Sequence, residues 1–440
     1  MRSQQHGAES AGGRQRVRSG SAGWLAVACV AVALALPGCA APSPRHIILI
    51  VVDTLRRDHV SPYGADIRTP NVQKLADRGQ VYSQAHASFH QTTMSMGALF
   101  SGQTPSIESP NPAQPFQFNG RTWCGLARFA SQPTEACIPP ELTTLPERLR
   151  SGGYFTIGVV SNQLLFAPAG FERGFDVWRE VGRAQEMRDL APAERSALRA
   201  APRVNAAVSA ALARAQGEPL FLYVHYLDVH DWFALGRGYR ESVEAFDREL
   251  GELFDALAKE EILDDSVVIL TSDHGEALGE AHALPGWPNH RGNPSFESVL
   301  RIPLIIAPAI AGDPERFVRS QDLATLILRS AGLPDADPPE GHTPSVAPDE
   351  LFLTERKFRT YRKGRWKSTF HRRVPGLQAL FDLEADPGEK VNLIDAHPDI
   401  HEANQRRVNE LVSVLGKSAR EGGRLTEVDR GRLRVLGYLE

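Results

Sequence analysis

The chain has 440 residues, 42% hydrophobic and 23% charged, enough to bury the core of one large α/β domain or two ordinary ones. Its 49 basic and 53 acidic residues leave a net charge of −4, without the concentrated basic excess of a nucleic-acid binder. No repeat of about 20–50 residues is visible.

The first 45 residues have a texture of their own. Arg14, Arg16 and Arg18 precede an apolar run from Trp24 to Leu36, of signal-peptide length and short for a membrane-spanning helix. It ends in Leu36-Pro37-Gly38-Cys39-Ala40, which resembles a bacterial lipobox apart from Pro37. Residues 1–38 are thus expected to be a lipoprotein signal peptide, with Cys39 lipidated and 39–45 a linker. The expectation is an exported, membrane-anchored lipoprotein of a bacterial periplasm or cell surface. An ordinary secretory signal or an uncleaved anchor would export the chain equally. Of the four cysteines, Cys29 lies in the signal and Cys39 in the lipobox. Cys124 and Cys137 remain, and in an exported chain they are expected to pair and close a small loop.

Ile47 to Val52 is a continuous aliphatic run that predicts a strand buried on both faces, as inside a parallel sheet. It delivers Asp53 to the strand's carboxyl end, where open α/β sheets bind ligands. Asp53 either caps the next turn or holds a metal ion. Thr69-Pro70 opens a short helix, Asn71 to Arg78, with Gly79 as its stop, and residues 80–86 predict a second strand. The segment His90-Gln91-Thr92-Thr93 leads into an apolar helix stopped by Gly102. Its hydroxyls therefore sit at a helix N-terminus, where orphan amides favour an anion.

Residues 103–140, rich in Pro, Gln, Ser and Asn, predict an insertion. Alternation then resumes: a strand from Tyr154 to Val160 ending at Ser161-Asn162, a helical stretch over 183–216, and a strand from Phe221 to His225. A long helix follows over Tyr239–Lys259, then strands Val267–Thr271, running into Ser272-Asp273-His274-Gly275-Glu276, and Ile302–Ala307. This rhythm predicts a large, mostly parallel sheet between helices across 46–345. A C-terminal α+β subdomain over 346–440 is expected to hold antiparallel strands at Leu351–Glu355, Arg365–Phe370 and Leu380–Leu383. Helices over Ile400–Leu415 and Thr426–Leu436 close it. The basic run Arg356–Lys367 reads as a solvated face, and His225, ending a buried strand, as a satisfied core histidine.

Two buried strands thus end in acidic residues, Asp53 and Asp273-His274, a credible divalent site. With a hydroxyl at a helix N-terminus, the combination suits attack on a phosphorus or sulfur ester.

The motifs IILIVVDTLRRDHVSPYG, TPNVQKLADRG, ALFSGQTP, FLYVHYLDVHDWF, VVILTSDHGEALGE, ESVLRIPLII, LFDLEADPGEKVNL and RLRVLGYLE occur in the order of the sulfatase family of the alkaline-phosphatase superfamily. The chain resembles that family over residues 46–440. The resemblance implies an alkaline-phosphatase-like fold and one divalent metal ion held by Asp53, Asp273 and His274. It places Thr92 at the nucleophile position, as a further ligand, and His230 at a substrate-binding histidine. His282 or His290 would fill the later basic, substrate-binding role. Sulfatases of the formylglycine type carry Cys or Ser in C/S-x-P-x-R, whereas this chain has Thr92-Thr93-Met94-Ser95-Met96, and Thr54 replaces the second opening Asp. A threonine cannot give the aldehyde, because its side-chain carbon is secondary. The chain is closer to the threonine-using branch, which includes phosphoethanolamine transferases and lipoteichoic acid synthases.

The mixed oxygen and nitrogen donors favour Zn²⁺ or Mn²⁺ over Ca²⁺ or Mg²⁺. Hydrolysis or transfer of a phospho-ester is expected: Thr92 attacks in line and His230 protonates or orients the leaving group. The partner would be a small-molecule, glycan or lipid anionic ester. The alternatives are a true sulfuric ester hydrolase of arylsulfatase type, or a degenerate binder of anionic glycans or lipids.

Overall fold

The computed structural model describes residues 45–415, apart from 107–116, 119–120, 123–137, 139–141, 168–169, 183–198, 216, 287–289, 291–295, 336–345 and 356. The expected signal peptide and Cys39, the Cys124–Cys137 pair, the start of the 183–216 helix and the closing helix Thr426–Leu436 lie outside the described residues.

Strand β1 (His46–Val52) is the middle of a seven-stranded sheet. Ile47, Leu49 and Val51 point into one core while Ile48, Ile50 and Val52 point into the other. All six are fully buried, because a central strand covered on both faces has no side to leave polar. The other strands are β2 (Gln80–Val81), β3 (Phe155–Val160), β4 (Val177–Glu180), β5 (Leu220–Tyr226), β6 (Ser266–Thr271) and β7 (Leu304–Ala307). Their order is β2-β7-β6-β1-β5-β3-β4, with β6, β1, β5, β3 and β4 parallel; at one edge β7 runs antiparallel to β6, and β2 antiparallel to β7.

Helices α1 (Pro70–Asp77) and α3 (Tyr239–Lys259) cover one face through Val72, Leu75, Val243, Leu250 and Leu257. Helix α2 (Thr92–Ser101) covers the other through Met94, Met96, Leu99 and Phe100. It ends at Gly102 with φ of 70°, the left-handed stop the sequence predicts. The expected strand over 80–86 is two pieces. Gln84–His86 leaves the main sheet to pair with Phe317–Arg319, so the kink at Tyr82-Ser83 divides them.

The C-terminal sheet has four antiparallel strands: β8 (Glu350–Thr354), β9 (Phe358–Lys363), β10 (Trp366–His371) and β11 (Gln378–Asp382). Helix α4 (Pro398–Leu415) packs on it through Val408 and Leu411. Strand β9 lies in the basic run expected to be a solvated face, and that expectation is corrected. Lys367 has no exposure at all, and its Nζ sits 2.9 Å from Glu297 and 2.8 Å from Glu389. The buried carboxylates supply what a buried ammonium requires.

Candidate active site

The pairing register fixes the site. Val51 lies beside Thr271 and Val52 beside Tyr226, so the next residues, Asp53 and Asp273, leave adjacent parallel strands at one level. Neighbouring strands are about 4.8 Å apart, which sets the carboxylates side by side. Strand β5 adds His225 on the other flank of β1, and the turn after β3 adds Asn162.

Each carboxylate is held by one oxygen. Asp53 Oδ2 accepts from the Asn162 amide at 2.6 Å, His225 Nε2 at 3.3 Å and the Thr92 hydroxyl at 3.4 Å. Asp273 Oδ1 accepts the backbone N–H of His274 at 2.8 Å and of Thr54 at 3.2 Å. The other oxygens, Asp53 Oδ1 and Asp273 Oδ2, are buried with no hydrogen bond, as is His274 Nε2. His274 donates Nδ1–H to the Gly275 carbonyl at 2.9 Å, which turns the Nε2 lone pair inward. One donor atom from each of Asp53, Asp273 and His274 falls within 4.8 Å of the others. Buried polar atoms rarely go without partners, and these three could hold a divalent cation, with their other atoms fixed by surrounding bonds.

The electrostatics agree. Burial opposes ionisation of Asp53, but the neighbouring His230 and the hydrogen bond from His225 outweigh it and hold its carboxyl far below the usual range. Burial and the Asp53 charge push Asp273 the other way. Two carboxylates this close do not both ionise comfortably without a cation between them.

Local backbone geometry serves the same end. Thr54 has φ of 58°, unusual for a β-branched residue, and this turn aims its N–H at Asp273. Its carbonyl accepts from Tyr239 at 2.6 Å. Gly275 lets the Glu297–Leu300 helix approach: a Cβ there would stand 2.2 Å from the Ser298 carbonyl oxygen.

Thr92 is the first residue of α2 and has no exposure. Its hydroxyl lies between Asp53 and Asn162, which is 3.3 Å away. Ser95 donates to the Asp273 carbonyl at 2.5 Å, tying the helix start to the end of β6. Met94 and Met96 are fully buried in the core, so these two side chains of α2 contribute packing and no polar group.

A histidine cluster completes the site. The His290 ring is 4.7 Å from His274 and 5.5 Å from His230, centroid to centroid. His230 Nδ1 bonds Asp231 at 2.9 Å, and His290 Nδ1 bonds Glu276 at 3.1 Å. His90 packs beneath and bonds the His290 carbonyl at 3.1 Å, its pKa driven well below the ordinary histidine value by burial. The structure therefore gathers Asp53, Thr92, His230, Asp273, His274 and His290. It leaves His282 out: that ring stacks on Phe296 and bonds Glu389 at 3.3 Å, toward the C-terminal sheet.

Two residues that the sequence reading did not assign to the site, His225 and Asn162, belong to it. His225 is buried and satisfied as expected, yet its partners are Asp53 and the Tyr223 hydroxyl, 2.8 Å from Nδ1. Burial raises the Tyr223 pKa well above its ordinary value, so the phenol stays protonated and donates to Nδ1. His225 Nε2–H is then free to donate to Asp53. Asn162 carried the same signal as Asp53, a polar residue just past a buried strand.

Residues 45–333 match the sulfatase family profile. The chain belongs to the sulfatase family. Choline-sulfatase of Rhizobium meliloti is 30% identical over 176 residues, 36% of this chain and 33% of that one. Arylsulfatase A of Bos taurus is 25% identical over 475 residues, covering 85% of this chain and 88% of its own. Among solved structures, the phosphonate monoester hydrolase of Agrobacterium radiobacter superposes with a TM-score of 0.61 at 17% identity, covering 84% and 95% of the two chains. The expected alkaline-phosphatase-like α/β fold is met, with its mostly parallel sheet and C-terminal antiparallel sheet. This sulfatase-family hydrolase keeps a candidate metal centre but lacks the Pro and Arg of the formylglycine motif.

Proposed function

We propose that this chain is a metal-dependent hydrolase of phospho-esters, or a phosphoryl transferase, with Thr92 as its nucleophile. The observation that carries the proposal is the buried Thr92 hydroxyl at the first position of α2, 3.4 Å from Asp53; the order of motifs supports matching it to the Cys or Ser of formylglycine enzymes. A divalent cation held by Asp53, Asp273 and His274 would supply Lewis-acid stabilisation of negative charge on oxygen. Zn²⁺ or Mn²⁺ suits this donor set best.

The chain's own residues do the rest. The first-turn amides of α2, free of intrahelical partners, favour the oxyanion. Thr92 Oγ forms the bond to phosphorus while the bond to the leaving oxygen breaks. His230, oriented by Asp231, and His290, oriented by Glu276, face this side and provide the proton for that oxygen. Water, or an acceptor alcohol, then displaces Thr92 and regenerates it. An anionic glycan or lipid ester is the proposed substrate class. The lipobox-like Leu36–Ala40 further supports export, with a lipid anchor at Cys39 placing the enzyme at a bacterial membrane surface.

A second reading is sulfate-ester hydrolysis through the same threonine. The similarity to choline-sulfatase and arylsulfatase A favours it, and the similarity to the phosphonate hydrolase favours the first. The test is turnover of nitrophenyl phosphate, bis-nitrophenyl phosphate and nitrophenyl sulfate with Zn²⁺, Mn²⁺, Mg²⁺ or Ca²⁺. Phospho-ester turnover abolished by Thr92→Ala and by Asp273→Ala is expected. Turnover of the sulfate alone would sink the phospho-ester assignment. No turnover with metal bound would leave a binder of anionic glycans or lipids.

A further inference from the structure

A cavity of about 630 Å³ lies between the loop after β1, the loop after β6 and the Pro387–Lys390 turn, away from Thr92. Its lining holds carboxylates as well as cations, but the two are not paired evenly. Arg56 is committed to Asp58, at 2.7 Å, and to Glu280, while Glu297 and Glu389 are committed to Lys367. Arg57 and Arg301 have no such partner: neither makes an ion pair among the described residues. Both reach for a single acceptor, the Ser83 carbonyl, which Arg301 meets only at 3.5 Å. The buried Arg301 Nε has no hydrogen bond. Arg57 lies over the Tyr63 ring at 4.9 Å, which fixes its plane. Burial and the Arg301 charge together push the Arg57 guanidinium below its ordinary pKa, a measure of how poorly compensated the pair is. Lys390, on the exposed turn, adds a third cation at the rim.

Two guanidiniums held together without a carboxylate repel each other, and an oxyanion that accepts from both relieves the repulsion. We propose that this cavity is an oxyanion site, for sulfate or phosphate, held by Arg57 and Arg301 and distinct from the ester site at Thr92. Arg56 links the two regions, since its guanidinium also donates to the Glu276 carbonyl at 3.0 Å and Glu276 orients His290. The oxyanion is either a second charged group on the substrate or a free inorganic anion. The assignment holds whether or not Thr92 turns over an ester.

The test uses the full protein with metal. Inorganic phosphate and sulfate are titrated calorimetrically, and selenate-soaked crystals are read by anomalous scattering. A peak between Arg57 and Arg301 is expected. Binding should persist in Thr92→Ala and weaken roughly tenfold or more in Arg57→Gln. Arg57 and Arg301 are both partly buried and both donate to the Ser83 carbonyl, so the melting temperature of Arg57→Gln, and of Arg301→Gln as a second variant, checks that each folds. No peak in the cavity, or anion affinity unchanged in folded Arg57→Gln, overturns the proposal. Kinetics separate the two sources. A raised KM in Arg57→Gln for an ester with a second sulfate or phosphate, but not for nitrophenyl phosphate, assigns the site to the substrate. An unchanged KM for both, with phosphate raising the melting temperature of the wild type and not of Arg57→Gln, assigns it to a free anion.

Discussion

The Asn162 side chain donates to Asp53 Oδ2 across 2.6 Å, and the opposite oxygen of Asp53 has no hydrogen bond at all. This asymmetry prepares a ligand: one oxygen is anchored and the other is left for a cation. Asn162 is itself fixed, its Oδ1 accepting from the Leu164 amide at 2.9 Å. Asn162→Ala should weaken metal binding about 10–100-fold, the usual consequence of removing a group that orients a ligand. Competition against a metallochromic chelator measures it; an affinity within twofold of wild type would contradict this role.

The Tyr223–His225–Asp53 chain makes a graded prediction. Tyr223→Phe removes the donor to His225 Nδ1 and leaves that nitrogen buried and unpaired, at a cost of about 1–3 kcal/mol. His225→Ala also takes a donor from Asp53 and should weaken metal binding as well. Urea titration and metal competition on both variants separate the two effects. Equal metal affinity in His225→Ala and wild type would reduce His225 to a packing residue.

Asp273→Asn separates metal-bound from metal-free stability. Burial and the neighbouring Asp53 charge disfavour the Asp273 carboxylate when no cation is present. Asparagine keeps an oxygen for the Thr54 and His274 amides and removes the repulsion. The variant should melt higher than wild type in chelator and gain little from added Zn²⁺, whereas wild type gains substantially. Calorimetric scans with and without metal give both numbers.

Gly275→Ala should disturb the metal centre without touching a ligand. The new Cβ meets backbone, the Ser298 carbonyl oxygen at 2.2 Å, while the Gly275 amide is bonded to Val299 at 2.7 Å. Relief requires moving the His274–Gly275 segment, at about 1–3 kcal/mol, with loss of metal affinity. Gly238→Ala is the control, because its Cβ meets nothing within 4 Å.

Acid should loosen the seam between the two sheets. His86 is fully buried, and burial, with the Arg362 charge beside it, lowers its pKa to about 4 from 6.5. The folded value is the lower one, so the unfolded chain takes up the proton first. The contribution of His86 is therefore complete above pH 6.5 and declines as the pH falls toward 4, on the order of 3 kcal/mol in all. Urea midpoints at several pH values should fall more steeply for wild type than for His86→Gln across that window.

Much of the fold was legible because the signals are local. The six aliphatic residues before Asp53 can only be a strand covered on both faces, and Gly102 marks the end of α2 by its left-handed backbone. Strand β9 was hidden because its arginines and lysines look solvated until Glu297, Glu350 and Glu389, distant in sequence, are seen to meet the basic side chains of β9 and β10.

The sequence by itself determined that Asp53 and Asp273-His274 would each stand at the end of a buried strand, and that Thr92 would stand at a helix N-terminus. Those follow from nearest-neighbour patterns of apolar and polar residues. Only the tertiary structure decided that β6, β1, β5 and β3 lie next to one another, which brings Asn162 and His225 onto Asp53. The same structure put His290, and not His282, beside His274. Strand order and register are settled by how whole faces pack, and a histidine's role is set by the groups that packing places around it.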